Sequence, residues 1–418
     1  MLASVQEKVS LPSVEEELSV AAAKCRDALA AREFTGLDAL IPDAPRDAQG
    51  WFELLSRYVP DTSVAAKIMG MRAAIPAELV GHGVKIERYA VLNALSVGAL
   101  RIGSVSVPNT VKHLYATLCT EIAARERQWE SHFDIEHDSE RFLDVAQYAT
   151  LRRFPAGALA LTYERLAPIR ATLCVHPLAL PGYIYQRAFS MPVTKPAIAP
   201  HVNYARKGSL ILTRSEYERA LWLIAKTVEM NPKVKGLNGW SWFYSQTVGE
   251  VYPHLAWMRA MFVDGGAYLV DTFPAQPEGY GFAHQNRKRQ NLYDQGKFCP
   301  RQTAVFWARD FFLDWASRHP ELIPDGEEPV RPPRHSTRLR LRPATPSRHA
   351  KHNSPITLWD GMAAFDRFGK LKYTALVLAL PALILSLAAL LISGPWLALL
   401  MLPVGGALAF TFQYFFSQ

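Results

Sequence analysis

The side chains with the clearest chemical capacity are gathered in one run, Lys288-Arg289-Gln290-Asn291-Leu292-Tyr293-Asp294-Gln295-Gly296-Lys297-Phe298-Cys299. A basic cluster, one phenol and a glycine turn stand just ahead of the apolar run "TAVFWA". Arg287, Lys288, Arg289 and Arg301 are the dense basic group of the folded part, and Arg and Lys are the usual partners of phosphate. A helix ending here would hold an anionic ligand beside Tyr293 as a proton donor. The same run also suits a solvated helix, because a charge run alone is weak evidence of a site.

Other candidates stand apart from it. His254 in "YPHLAW" precedes a helix-like run and is either a base or a satisfied structural histidine; Glu278 in "QPEGYGF" lies in a Gly/Pro loop that borders a pocket or is plain surface. Trp240, Trp242, Phe243 and Tyr244 form a dense aromatic group, which lines an apolar pocket or belongs to the core. Cys299 beside Pro300 is a nucleophile or a packed thiol. "SHFDIEHDSE" brings His132, Asp134, Glu136, His137 and Asp138 together, but histidines five apart point to different faces of a helix and match no metalloprotease spacing. A solvated helix end is the better reading. There is no P-loop, nucleophile elbow, kinase signature or H-E-x-x-H.

Composition narrows the class. A 418-residue chain that is 49% hydrophobic and 20% charged is globular, with room for two modest units or one large one. Between Pro329 and Lys372, ten Lys/Arg face two Asp, which accounts for the whole formal charge of +8. A nucleic-acid-binding domain would carry that charge on the fold itself, so such a partner is not expected. Cys25, Cys119, Cys174 and Cys299 form no C-x-x-C pair, as expected for reduced thiols and no metal.

The elements that must position these groups follow from periodicity. "SVEEELSVAAAKCRDALAARE" carries a capping box at Ser13 and Glu16 and an apolar stripe at Leu18, Ala22, Cys25 and Leu29. It reads as an amphipathic helix, not a secretory signal. Residues 1–145 read mostly helical, including "HLYATLCTEIAARERQWESHF" with its Glu121/Arg125 pair. From about Ala146, short β-prone runs appear between Gly and Pro: "AGALALTY", "RATLCVHPL", "GYIYQRAFSM", "GSLILT", "GAYLVDTF" and "TAVFWA". "TRSEYERALWLIAKTVEM" is a helix among them, capped by Thr213 and Glu216. Strands first and strand–helix alternation later predict an α+β domain over 146–325.

The end of the chain reads as membrane-bound. Tyr373 to Gln418 holds no charged residue, and two apolar stretches, about 373–392 and 396–416, are each long enough to cross a bilayer as helices joined at Ser393-Gly394-Pro395. The linker 326–356 is basic and proline-rich, which predicts an extended cytoplasmic tether attracted to anionic lipid. Residues 357–372 space Leu358, Met362, Phe365 and Phe368 like an interfacial helix. The expectation is a two-pass protein whose large N-terminal domain faces the cytoplasm.

The segments "RRFPAG", "VKGLNGWSWFYS", "VYPHLAWMR", "GGAYLV" and "RKRQNLYDQGKF" with "TAVFWARDFFLDWASRHPEL" resemble a poorly characterised group of bacterial proteins over about Val145 to Leu322. "YDQGKF" also resembles the closing "Y-x-x-G-F"-like turn of GNAT-type N-acyltransferases, one residue longer than that pattern. The resemblance implies a mixed GNAT-like sheet with flanking helices, acyl-CoA or acyl-carrier protein as donor, no permanently bound cofactor, and a bacterial inner-membrane location. It assigns Tyr293 the protonation of the leaving thiolate. The family's phosphate-cradling "[QR]-x-x-G-x-[GA]" loop has no counterpart, since Gly236 and Gly239 in "VKGLNG" are wrongly spaced. Acyl transfer to an amine needs a base and a proton donor, so His254, Glu278 and Tyr293 are the catalytic candidates. Arg287, Lys288, Arg289 and Arg301 would hold the donor's phosphates, and Trp242 and Tyr244 would line its acyl chain. An amine-bearing lipid precursor or small molecule is the expected acceptor. The alternative is a non-catalytic, membrane-tethered binding or regulatory module.

Overall fold

The computed structural model describes residues 13–30, 44–58, 86–124, 139–165, 190–192, 195–202, 213–271, 287–295, 297–298 and 303–333, with isolated positions such as Tyr183 and Gln186 between them. The expected amphipathic segment and apolar hairpin lie outside the described residues. So do the linker beyond residue 333, "SHFDIEHDSE" up to Asp138, and the runs "RATLCVHPL" and most of "GSLILT". Among the described residues no helix is long and apolar enough to cross a membrane.

The N-terminal helices form where capping and periodicity place them. Helix α1 (Val14–Leu29) opens on the capping box: Glu16 N–H donates to Ser13 Oγ at 3.2 Å, and Ser13 N–H donates to the Glu16 carboxylate at 2.8 Å. Each satisfies a backbone donor that the first turn cannot. Its buried Leu18, Ala22 and Cys25 pack on α3 (Ile86–Arg101) and α4 (Asn109–Ala123). Helix α3 is buried on nearly every side, as a helix enclosed by α1, α2 (Ala48–Tyr58) and α5 (Ser139–Ala149) must be. Its buried Arg88 donates to the carbonyls of Ile122 and Ala123 at 3.3 and 3.2 Å, at the end of α4 where the helix dipole favours a cation.

Six strands follow, ordered β1-β2-β3-β4-β6-β5. Strands β1 (Arg153–Ala156) and β2 (Leu159–Arg165) make a hairpin around Gly157, whose φ of 75° suits only a residue without Cβ. The run "AGALALTY" therefore holds the end of one strand, a turn and most of another. Strand β3 (Pro196–Val202) pairs antiparallel with β2 over seven residues. The chain then crosses over through α6 (Arg214–Met230) to β4 (Gly236–Ser241), parallel to β3; a parallel neighbour requires such a crossover. Beyond it, α7 (Gln246–Val251) and α8 (Ala256–Asp264) lead to β5 (Tyr268–Asp271). Strand β6 (Thr303–Ala308) inserts between β4 and β5, antiparallel to both, and α10 (Arg309–Ser317) leaves it. Helix α9 (Arg287–Asp294) falls in a separate unit, Gln276–Lys297 with Ser347–Gln418, and is described by itself.

Alternation divides the sheet's side chains between two layers. Leu161, Ile198, Leu237, Val305 and Trp307 join the main core with α6, α8 and α10. Ala197, Tyr268, Val270, Ala304 and Phe306 face a second cluster with Tyr183 and Met191. Entry into β4 depends on Gly236: at φ 142°, a Cβ would stand 2.0 Å from the Trp307 carbonyl oxygen. The result is a mixed α+β fold with a six-stranded sheet and flanking helices.

Three elements differ from the sequence reading. "GYIYQRAFSM" was expected as a β-run, but Tyr183, Gln186 and Ser190 are helical, and Met191 N–H donates to Gln186 C=O at 2.7 Å. Tyr183 and Met191 pack on a sheet face, and burial there outweighs β-propensity. Conversely, β3 and β4 were not expected. Prolines in "PAIAPHV" and glycines in "GLNGWS" read as breakers, yet they occupy a seam where a full ladder is not made.

Candidate active site

The seam between β3 and β4 is the least stitched part of the sheet. Lys235 N–H donates to Pro196 C=O at 3.0 Å, and Ile198 pairs with Leu237; no later pair forms. The cause is in the sequence. Backbone groups of alternate residues point to the same strand edge, so Pro200 shares with Ile198 the edge that faces β4. Proline has no N–H to donate, and the ladder stops. The Pro200 ring instead lies beside Gly239, where a Cβ would approach Pro200 Cγ to 3.3 Å. From Gly239 to Ser241 the facing edge of β4 has no ladder partner in β3.

A row of side chains crosses this seam on the second-cluster face. Thr162 is paired with Ala199, and Asn238 is paired with Phe306 and lies one residue beyond the Ile198–Leu237 pair. The order across the sheet is therefore Thr162, Ala199, Asn238, Phe306, with His201 two residues along β3 from Ala199 on the same face. Tyr183 packs edge-on against Phe306 with ring centroids 5.5 Å apart. Thr162, Asn238 and Gln186 are 6, 3 and 4% exposed, yet among the described residues Thr162 Oγ1, Asn238 Oδ1 and Gln186 Oε1 have no hydrogen-bond partner. Buried polar atoms are nearly always paired.

The base of β4 is held quite differently. Arg309 N–H donates to Lys235 C=O at 2.8 Å. Its guanidinium donates to the carbonyls of Val228, of Glu229 at 3.1 Å, of Asn231 at 3.0 Å and of Val234 at 3.3 Å. One side chain thus closes the end of α6 and the turn into β4. Burial lowers its pKa against the opposing pull of Asp310 and Glu229. Alongside, Lys226 donates to Glu229 at 2.7 Å and to Pro329 C=O at 3.3 Å. Thr110 N–H, at the start of α4, donates to Glu327 at 2.6 Å. These bonds strap residues 327–331 across the helices beside an open groove of about 790 Å³.

The residues expected to act fall on different elements or outside the described residues. Glu278 and Arg301 lie outside the described residues, as do Gly296 and Cys299. Helix α9 carries Arg287 and Lys288 exposed and Arg289 and Tyr293 half-buried, with the last two one turn apart on one face. His254 is exposed in the 3-10 turn Pro253–Leu255, edge-on to Tyr252. Trp242 stacks on Phe243 with centroids 4.1 Å apart and meets Phe298 edge-on. Tyr244 belongs to the core: its hydroxyl is 2.7 Å from that of Tyr217, and burial pushes its pKa up to about 12. Phe243, Leu255, Arg259 and Val263 border a groove of about 400 Å³ beside this turn. Of the expected residues in the sheet unit, none lies in the Thr162–Asn238 row. His201, Thr162 and Asn238 were missed because neither a histidine nor an Asn-Gly pair declares a strand face before the register is known.

The chain matches no family model and no curated protein. Among solved structures it is similar to an acyltransferase mutant in complex with octanoyl-CoA, at 13% identity and a TM-score of 0.39, over 72% of this chain and 91% of that one. It is also similar to an acyltransferase in complex with decanoyl-CoA, at 12% identity and a TM-score of 0.38, over 70% and 99%. Likenesses at these TM-scores carry no assignment of fold family or activity to this chain.

Proposed function

We propose that this protein is a GNAT-like N-acyltransferase that moves an acyl group from CoA or acyl-carrier protein to an amine, working at the membrane face through its C-terminal apolar hairpin. The observation that carries the reading is the edge of β4 from Gly239 to Ser241 without ladder partners in β3, left where Pro200 ends the ladder. An extended chain of amides binds such an edge as an added strand. The pantetheine arm shared by CoA and acyl-carrier protein is a chain of that kind, ending in the thioester. The "YDQGKF" resemblance supports the same reading independently.

In the reaction, the amine nitrogen attacks the thioester carbonyl, a C–N bond forms and the C–S bond breaks. The amine gives its proton to a base, and the thiolate takes one from a donor. The resemblance proposes Tyr293, of the separate unit, as the donor, with Arg287, Lys288 and Arg289 as partners of the CoA phosphates. His201, on the strand beside the seam, is a better placed base than His254, which is exposed on a turn.

The test uses the full chain in detergent micelles with a long-chain acyl-CoA, acyl-carrier protein and a panel of amines, following thiol release. Thiol release that needs an amine, reduced at least tenfold in Tyr293→Phe, is the expected result. A folded chain that releases no thiol from either donor would overturn the transferase reading and leave the tethered binding module in its place.

A further inference from the structure

Among the described residues, the buried side-chain oxygens of the Thr162–Ala199–Asn238 row make no hydrogen bond that holds the fold together. Neighbouring strands lie about 5 Å apart, so Thr162 and Asn238 flank Ala199 at roughly 10 Å between backbones. Ala199, with the smallest side chain of the row, stands between them. Thr162 Oγ1, Asn238 Oδ1 and, in the layer above the sheet, Gln186 Oε1 are each more than nine-tenths buried and lack partners. Amide and hydroxyl groups buried in this way are costly. A ligand carrying hydrogen-bond donors removes that cost. No acidic or basic side chain stands in the row itself, where Phe306 is the next member. An anionic headgroup therefore finds no counter-charge there, whereas a neutral hydroxyl or amide N–H finds acceptors.

We infer that this row is the acceptor subsite, and that it takes an amine bearing neighbouring hydroxyl groups, an amino-alcohol, oriented by Thr162 and Asn238. The inference rests on the proposed transferase reading for the fate of the amine, but the binding it requires does not depend on turnover. His201, two residues from Ala199 on the same face, is then beside the bound amine and accepts its proton as the C–N bond forms. The C–S bond breaks as the C–N bond forms, and the thiolate leaves and takes a proton from water, so atoms and charge balance.

Two measurements test it on the full chain in micelles, with serinol, isopropylamine and serine as probes. Serinol and isopropylamine share a carbon skeleton and differ by two hydroxyls; serine adds a carboxylate. In the first, serinol at millimolar concentration raises the unfolding temperature of the wild-type chain, and isopropylamine and serine do not. Asn238→Leu and Thr162→Val, both close in shape, abolish the serinol shift. In the second, wild-type kcat/KM favours serinol over isopropylamine at least tenfold, and Asn238→Leu erases the preference. A serinol shift without turnover supports the subsite and overturns the transferase. Turnover with no preference among the amines does the reverse. A shift that survives in both variants, or equal shifts with serinol and isopropylamine, overturns the inference.

Discussion

The two ends of β4 handle buried polar groups in opposite ways. At its start, the Arg309 side chain donates to four carbonyls, Lys226 has two partners, and Glu327 takes up an N–H at the head of α4. Just inside β4, Asn238 is buried to 3% exposure with its Oδ1 unpaired, and Thr162, across the seam on β2, and Gln186 share that condition. The first arrangement converts polar groups into stability, since a paired buried group returns what its desolvation cost. The second leaves the cost standing. A fold that can satisfy Arg309 so fully and leaves Asn238 open has the means for one outcome and a use for the other.

Breaking the satisfied end should produce the largest effect. Arg309→Met removes a cation from four part-buried carbonyls at the end of α6 and the turn into β4. Hydrogen bonds to a charged group are worth about 1.5–3 kcal/mol, so an overall loss of about 3 kcal/mol is expected. Urea unfolding followed by tryptophan fluorescence measures it, with Trp222, Trp307 and Trp315 buried in the affected core. A loss below about 1 kcal/mol would mean that the carbonyls find water and that the lock is cosmetic.

How much of this contrast was legible in the sequence depends on how local each feature is. The capping box at Ser13 and Glu16, the stripe of α1 and the strand "TAVFWA" were all legible, because each is decided within a few residues. Strands β3 and β4 were not, since Pro196, Pro200, Gly236 and Gly239 each argue locally against a strand. Only the register shows that Pro200 faces the one edge where its missing N–H ends a ladder. The site row was hidden for the same reason. Asn238-Gly239 reads as a turn pair, and whether a buried amide has a partner is a property of three strands at once. Tyr293 and its basic neighbours were visible as a pattern, and the structure does place Arg289 and Tyr293 on one helix face.

Beneath the turn that follows β4, Tyr217 and Tyr244 extend the satisfied side of the comparison, hydroxyl to hydroxyl. Burial raises both pKa values, that of Tyr244 to about 12. For an acid that is neutral when protonated, a raised folded pKa gives stability that is complete below the unfolded value of 10. It is lost as pH rises toward the folded value. Unfolding free energy should therefore fall between pH 10 and 12, with each such tyrosine contributing up to about 1.4 kcal/mol per pH unit. Urea midpoints at pH 9 and pH 11 measure the fall. The Tyr217→Phe/Tyr244→Phe double variant should show a shallower slope; an unchanged slope would place the titration in other tyrosines, such as Tyr163 or Tyr268.

The smallest expected change is the most telling, because its sign differs. Asn238→Leu keeps the branching of the side chain and removes an unpaired carbonyl oxygen from the interior. A buried acceptor without a partner costs about 1–3 kcal/mol, and an apolar replacement of similar shape can be neutral or stabilising. Unfolding in urea should show the variant unchanged or up to about 1 kcal/mol more stable, whereas Arg309→Met is destabilised. If Asn238→Leu instead lost 2 kcal/mol or more, the amide would be a structural group and the two ends of β4 would not differ in kind. If the variant gains stability while its response to serinol disappears, the chain keeps Asn238 at a cost to its own folding, and binding is the remaining reason to keep it there.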